Sequence, residues 1–334
     1  MREGLEFAAG AALVLIALFD VFATMLVPGP VTSRFNLIIH TRRALLPLWR
    51  RSGGARPSNG YAPFAFLVTF LCWGVLLLFG FGLMFDAIGD RFQPVLAGPS
   101  DGIWVAGLSL LTLGVSEFGA DGLARGLILF AGLVGFGALT TAITFIFQVQ
   151  AGLSDREPAV LALAAVAGTP PSGIGLLEEL AALDARRELG GFFDEWRDWA
   201  AATQHSHLAY PVLNYFRSMD GEGDWLAALE AVLDAAAMLV ACTDEPEGRA
   251  AATLLLRTGS RAAERLVRAL RLSPTPGGAA GDIAPPLDRL ERAGYPVREE
   301  GAAARFSDLR SGYAPYLDAL GEHLGVAGPS EVRA

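Results

Sequence analysis

The sequence predicts an all-α membrane protein whose second half is a polar helical domain. Three observations carry that expectation. Of 334 residues, 52% are hydrophobic and 18% charged, too apolar for an ordinary soluble chain and too polar for a bundle embedded throughout. The apolar residues gather in long runs at 5–27, 62–85 and 123–149, each near the ~20 residues that a bilayer core requires. A further apolar segment, 103–108, is too short to cross and leads into a polar bend at 109–117. A short segment, a bend and then a full crossing predict a re-entrant helix and loop. Non-helical backbone survives at membrane depth only where protein or water satisfies its N–H and C=O groups.

The first run ends at Pro28-Gly29-Pro30. It reads as a retained crossing rather than a cleaved leader, because Glu3 and Glu6 accompany Arg2 at its start and no small-residue cleavage site stands out. Asp20 lies inside it. A carboxylate there faces protein or water, which leaves an ion-pathway role or a packing hydrogen bond, the latter being the expectation. Residues 29–61 carry Arg34, Arg42, Arg43, Arg50, Arg51 and Arg56 and no acid. That places the loop on the cytoplasmic side, as an interfacial segment whose Arg42, Arg43, Arg50 and Arg51 meet anionic headgroups. The N-terminus is then outside and the C-terminus cytoplasmic.

After the second run, Asp86, Asp90, Arg91 and Asp101 form an outer loop without a basic excess. Ser100 or Asp101 is placed to cap the short helix, and Trp104 sits in its first turn as a buttress or an interfacial anchor. The third run is interrupted by Gly126, Gly132, Gly135 and Gly137, positions that permit close packing or bending. Thr140, Thr141, Thr144 and Gln148 add a polar stripe at helical spacing.

Thr112-Leu113-Gly114-Val115-Ser116-Glu117 resembles the Thr-Val-Gly-Tyr-Gly-Asp filter of tetrameric potassium channels. Thr112 and Gly114 match, Leu113 stands for Val and Glu117 for Asp. Val115 replaces Tyr, and Ser116 replaces the second Gly. A second register, with Glu117-Phe118-Gly119 on the Gly-Tyr-Gly part, loses the threonine and the first glycine and sets a carboxylate in the path, which would imply sodium or divalent permeation. The three apolar runs make three transmembrane helices per chain; the resemblance implies a homotetramer in which the second and third flank a re-entrant pore helix and filter loop, the first being an addition. Thr112, Leu113, Gly114, Val115 and Ser116 are then the ion-binding filter, with Glu117 at its outer mouth. Gly135 or Gly137 becomes the gating hinge of the inner helix, and Thr141, Thr144 and Gln148 line a wet cavity. The permeant ion is a monovalent cation, potassium favoured, and the Gly-to-Ser change makes a weakly selective cation channel an alternative. A non-conducting membrane scaffold or sensor is the reading from another class.

The remaining chain divides into a helical cytoplasmic domain at 151–272 and a linker with terminal helices at 273–334, beside an extra N-terminal crossing at 1–28, the basic loop at 29–61 and a pore module at 62–150. Helical spacing is visible at 158–166, 174–189, 192–204, 225–240, 249–272, 287–293 and 313–324, and no further run long enough to cross is evident after residue 151. Segments 207–216 and 225–237 resemble, more weakly, the cytoplasmic tails of bacterial potassium-channel-like proteins. His205 and His207 are two apart and splay across a helix, so they read as hydrogen-bonding residues rather than a metal pair. Asp220 to Asp224 begins like a calcium loop, but Trp225 holds its glycine position and Ala231 its final glutamate position. No nucleotide-binding glycine pattern and no nucleophile–base pair stands out, so neither an enzyme nor a cofactor is expected. A net charge of −9 argues against nucleic acid, and Cys72 and Cys242 imply no disulfide. The expected location is the inner membrane of a bacterial cell, as a multi-pass protein.

Overall fold

The computed structural model describes residues 1–26, 45, 61–216, 224–275 and 286–325. The arginine-rich segment, the acidic turn before Asp224 and most of the Pro/Gly linker lie outside the described residues. The chain is mostly helical and forms two compact units, one holding Met1–Trp49 and Pro63–Gln148, the other Arg50–Ala62 and Val149–Ala334.

In the first unit, α1 (Arg2–Val21) ends in a π turn at Phe22–Leu26, and α2 covers Tyr61–Asp86. A 3-10 turn, Gly89–Arg91, leads to β1 (Phe92–Gln93), and the short helix α3 covers Pro99–Leu110. A loop then reaches β2 (Gly119–Ala120), which pairs antiparallel with β1, Phe92 opposite Ala120 and Gln93 opposite Gly119. The long helix α4 (Gly122–Ala167) follows, its residues 122–148 in this unit and 149–167 in the second. Stretches of α1, α2 and α4 are each long and apolar enough to span a membrane.

Glycines set how closely these helices approach. A Cβ on Gly10 would lie 2.5 Å from the Gly80 carbonyl oxygen, and one on Gly102 would lie 2.5 Å from that of Gly82. Backbone therefore meets backbone between α1 and α2 and between α2 and α3, the small-residue packing that apolar surroundings favour. Phe81, Phe85, Phe92, Val105 and Ala131 are buried in the core so formed, with Phe85 and Phe92 edge to face at 5.8 Å. Asp20 is buried and accepts a 2.7 Å hydrogen bond from the Trp73 indole of α2. The packing expectation for this carboxylate is the one the geometry matches.

Three sequence expectations in this unit change. Neither Ser100 nor Asp101 caps α3: the helix starts at Pro99, whose missing N–H costs nothing there, and Asp101 Oδ2 turns back to accept from the Ala97 N–H at 2.8 Å. α1 starts and ends earlier than the apolar run. α4 does not stop near residue 149 but runs unbroken through Pro158, so the separate helix expected at 158–166 is its last turns.

In the second unit α7 (Trp225–Cys242) is the central element, with Asp224 as its N-cap accepting from the Leu226 N–H. Around it pack α5 (Gly173–Ala182), α6 (Leu189–Ala209), α8 (Arg249–Ala269), α10 (Ala302–Ser311) and α11 (Ala314–Leu324), with α9 (Leu287–Arg292) against α5. α7 is also long and apolar enough to span a membrane, which the expectation of no further run had missed. It is nonetheless enclosed, 89% of it buried within the protein. A helix apolar all round is a core helix when protein surrounds it. The helix expected at 174–189 breaks after Ala182, where Asp184 turns left-handed (φ 55°). α6 is longer than expected at both ends, and α10 had no counterpart in the apolar spacing.

Candidate functional site

The candidate site is the loop between α3 and β2, built from the end of α3 outward. The last turn of α3 closes with the Leu111 N–H on the Gly107 carbonyl, the Thr112 N–H on Ser109 (3.0 Å) and the Leu113 N–H on Leu108 (2.9 Å). This is a Schellman closure. It requires a left-handed residue just past the helix, and Thr112 fills that place with φ 57°. Glycine is usual there, and a β-branched residue is strained. Gly114 is the second left-handed position, φ 86°.

Among the described residues, no backbone–backbone hydrogen bond involves residues 114–117. Thr112, Leu113, Gly114, Ser116 and Glu117 are exposed and Val115 is half-buried. Three contacts hold this stretch at its far end. The β1–β2 pairing begins at Gly119, and Phe118 packs edge to face on the buried Phe92 at 6.5 Å. Glu117 Oε2 accepts from the Trp104 indole at 3.3 Å. Trp104, offered as a buttress or an interfacial anchor, thus touches this loop and is 53% exposed.

At the near end α4 forms the seat. A Cβ on Gly135 would lie 1.9 Å from the Leu110 carbonyl oxygen, so glycine is required where α4 crosses the end of α3. Gly132 approaches the Ser109 carbonyl oxygen less closely, at 3.4 Å. Gly137 has open space around it. The two glycines offered as hinges therefore differ: one is fixed by a backbone contact, and the other is free of such a demand.

Further along α4, Thr141 and Thr144 donate their hydroxyls to the Gly137 and Thr140 carbonyls, at 2.8 and 2.9 Å, and Thr140 does the same to Phe136. Hydroxyls bonded back to the helix keep their donors satisfied in apolar surroundings. Thr144 and Gln148 are exposed and Thr141 half-buried. The apolar residues of the same helix are exposed too, among them Leu129 (70%), Leu133 (67%) and Phe147 (69%). So large an uncovered apolar face fits lipid or further copies of the chain.

The filter candidates are contiguous and form one loop, with Gly135 beneath its start. Gly137, Thr141, Thr144 and Gln148 continue away from it along α4. Sequence reasoning missed Trp73 as the partner of Asp20. It also missed Gly10, Gly80, Gly82 and Gly102, for which glycine within an apolar helix was the available signal. Among the described residues no cluster of three metal-ligating side chains occurs.

Two of the buried polar groups among the described residues of the second unit are built around an arginine. In one, the Arg156 guanidinium of α4 meets Glu157, the Leu213 and Phe216 carbonyls, and His207 Nε2 at 3.2 Å. The face of Trp225 lies 5.9 Å away. Asn214 Oδ1 is 3.1 Å from His207 Nδ1. An arginine has no lone pair to offer, so Nε2 accepts and Nδ1–H donates, and the ring is neutral. Burial first, then the Arg156 charge, holds the His207 pKa well below the usual imidazole value. In the other group, Arg310 pairs with Glu230 at 2.7 Å and Asp234 at 3.1 Å, while the Tyr313 hydroxyl donates to Asp234 at 2.6 Å. His205 is exposed and makes no pair with His207.

Comparison with protein-family models, with curated proteins and with solved structures returns no match.

Proposed function

We infer that four copies of this chain surround one pathway and form a cation channel of the bacterial inner membrane, with loop 112–117 as its filter. α1, α2 and α4 are the three crossings, and α3 with its loop is the re-entrant segment. The observation that carries the reading is the loop itself. Residues 114–117 make no backbone–backbone hydrogen bond among the described residues, yet the loop is fixed at both ends between apolar helices. In hydrocarbon such groups would each cost several kcal/mol. They are tolerable if they face water or an ion, and carbonyls facing an ion replace its hydration shell. One loop per chain requires several chains to close a path, and the resemblance to the potassium filter makes that number four.

In this reading Leu113, Gly114, Val115 and Ser116 offer carbonyl oxygens, Thr112 adds its hydroxyl, and Glu117 supplies negative potential outside. Gly137 is the bending point of the inner helix, while Gly135 fixes the filter's base. Potassium is the favoured ion by resemblance. The second unit, which includes the last turns of α4 (residues 149–167), is the assembly or gating domain. The N-terminus is outside, and Arg42, Arg43, Arg50 and Arg51 meet anionic headgroups on the inner face.

The left-handed Thr112, committed to closing α3, favours a second reading, because a residue in that role is not part of a regular carbonyl ladder. This reading is a non-conducting membrane scaffold or sensor on a channel-like fold. Potassium flux into liposomes containing the purified tetramer separates the two. Flux is expected, and Ser116→Gly should shift the reversal potential toward potassium over sodium. Intact tetramers that pass no cation under any gradient would establish the scaffold instead.

A further inference from the structure

On the second unit, α6 lays an apolar and aromatic face against the last turns of α4. Phe192, Glu195, Trp196 and Trp199 share that face, because their spacings of three, four and seven recur on one side of a helix. With Ala162 and Leu163 of α4 they line a cleft of about 200 Å³. The rings are in mutual contact: Trp196 meets Trp199 at 4.8 Å and Phe192 at 6.2 Å.

The charge of this cleft is set by what happens to three neighbouring acids. Arg197 takes both Asp194, at 2.5 Å, and Asp198, at 3.0 Å. Glu195 has no hydrogen bond or ion pair among the described residues, and it is the acid that borders the cleft. The Trp199 N–H is already given to the Arg156 carbonyl at 3.1 Å, so it is closed to an anion. What is left is an aromatic wall with one uncompensated negative charge.

From this arrangement we propose that the cleft binds a small organic cation with a quaternary ammonium head. Aromatic rings attract a cation through their quadrupole, and the attraction strengthens as water is excluded. A primary ammonium carries three donors, and a single carboxylate would leave some of them unmet inside the cleft. A quaternary head has no donors to satisfy, matches apolar walls, and gains from Glu195 by charge alone. The cleft lies wholly in the second unit, so binding does not depend on whether the chain conducts.

Isothermal titration of the full-length protein in detergent, with choline and its uncharged isostere 3,3-dimethylbutan-1-ol, tests this. Choline should bind about tenfold tighter than the isostere. Glu195→Gln changes an exposed side chain without changing its shape, and should reduce that preference severalfold while the aromatic wall keeps the remainder. Ala162→Phe fills the cleft from its exposed rim and should remove choline binding altogether. Equal affinity for the two probes, or no binding of either, would overturn the proposal. Choline binding that survives Ala162→Phe would place the cation elsewhere, including in a central pathway, and would overturn it equally.

Discussion

Replacing Gly135 by alanine tests the base of the candidate filter, with Gly137→Ala as its partner experiment. At Gly135 the new methyl would sit 1.9 Å from the Leu110 carbonyl oxygen. An ordinary carbon–oxygen contact is at ~3.3 Å or more, so α3 and α4 must part by more than about 1 Å. The obstacle is backbone on both sides, and no rotamer change relieves it. Overpacking of this kind costs about 1–3 kcal/mol, and the strain falls on the turn that holds Thr112 and begins the loop. At Gly137 nothing lies within 4 Å, so the methyl meets open space. There alanine should gain up to about 1 kcal/mol of helix propensity. Thermal unfolding of the detergent-solubilised protein by circular dichroism should show Gly135→Ala melting several degrees below the parent and Gly137→Ala at or above it. On the proposed channel function, the first should also reduce cation flux in liposomes, whereas the second should alter only the opening of the path. Equal melting temperatures for the two variants would refute the close-contact reasoning, whatever the flux.

The buried ion group of the second unit gives a second expectation. Arg310→Met leaves Glu230 and Asp234, each about 2% exposed, without their cation, and breaking such a group costs about 3–5 kcal/mol. A denaturant titration showing less than about 1 kcal/mol lost would mean that water already reaches the two carboxylates. The third expectation concerns pH. His207 has a folded-state pKa well below its ordinary 6.5, so the unfolded chain binds this proton first as pH falls. Its contribution to stability is therefore complete above about 6.5 and is lost below it, at up to ~1.4 kcal/mol per pH unit. Arg156, with Glu157 behind it, Asn214 and Trp225 are the groups facing the ring. His207→Gln should flatten the dependence between pH 6.5 and the folded-state value. An unchanged slope would assign the acid sensitivity to other groups.

The helices were legible because burial in apolar surroundings leaves a plain mark, as at α2, which departs by a residue at each end from the run at 62–85. Boundaries failed where a local signal was overruled. Pro158 marks a helix start by propensity, yet α4 passes through it while Arg156 and the indole of Trp199 tie that stretch into the second unit. The break at Asp184 had no proline or glycine to announce it. At 225–240 the sequence showed only apolar residues at helical spacing. α7 is apolar nearly all round, and its two acids are hidden because Arg310, 80 and 76 residues away in sequence, comes to meet them.

For the candidate site, the order of residues from Thr112 to Glu117 could be read directly, as could the short helix before them and the long one after. Glycine content alone could not say which of Gly132, Gly135 and Gly137 stands against backbone. That depends on where α3 ends against α4, a distance that no one-dimensional pattern contains. Nor does residue type reveal that Thr112 is left-handed, since a threonine accepts that conformation only when the closing hydrogen bonds of the helix impose it.

What the sequence determined alone is the distribution of apolar and polar residues, and hence a membrane-compatible half, a helical polar half and a bend between two long apolar helices. Tertiary structure decided the pairings: Asp20 with Trp73, Glu117 with Trp104, Gly135 with Leu110, Arg310 with two distant carboxylates. The division has one physical cause. Hydrophobicity and helix propensity act over a few neighbouring residues, while the worth of a buried charge, a glycine or a strained turn is set by the atoms that folding brings to it.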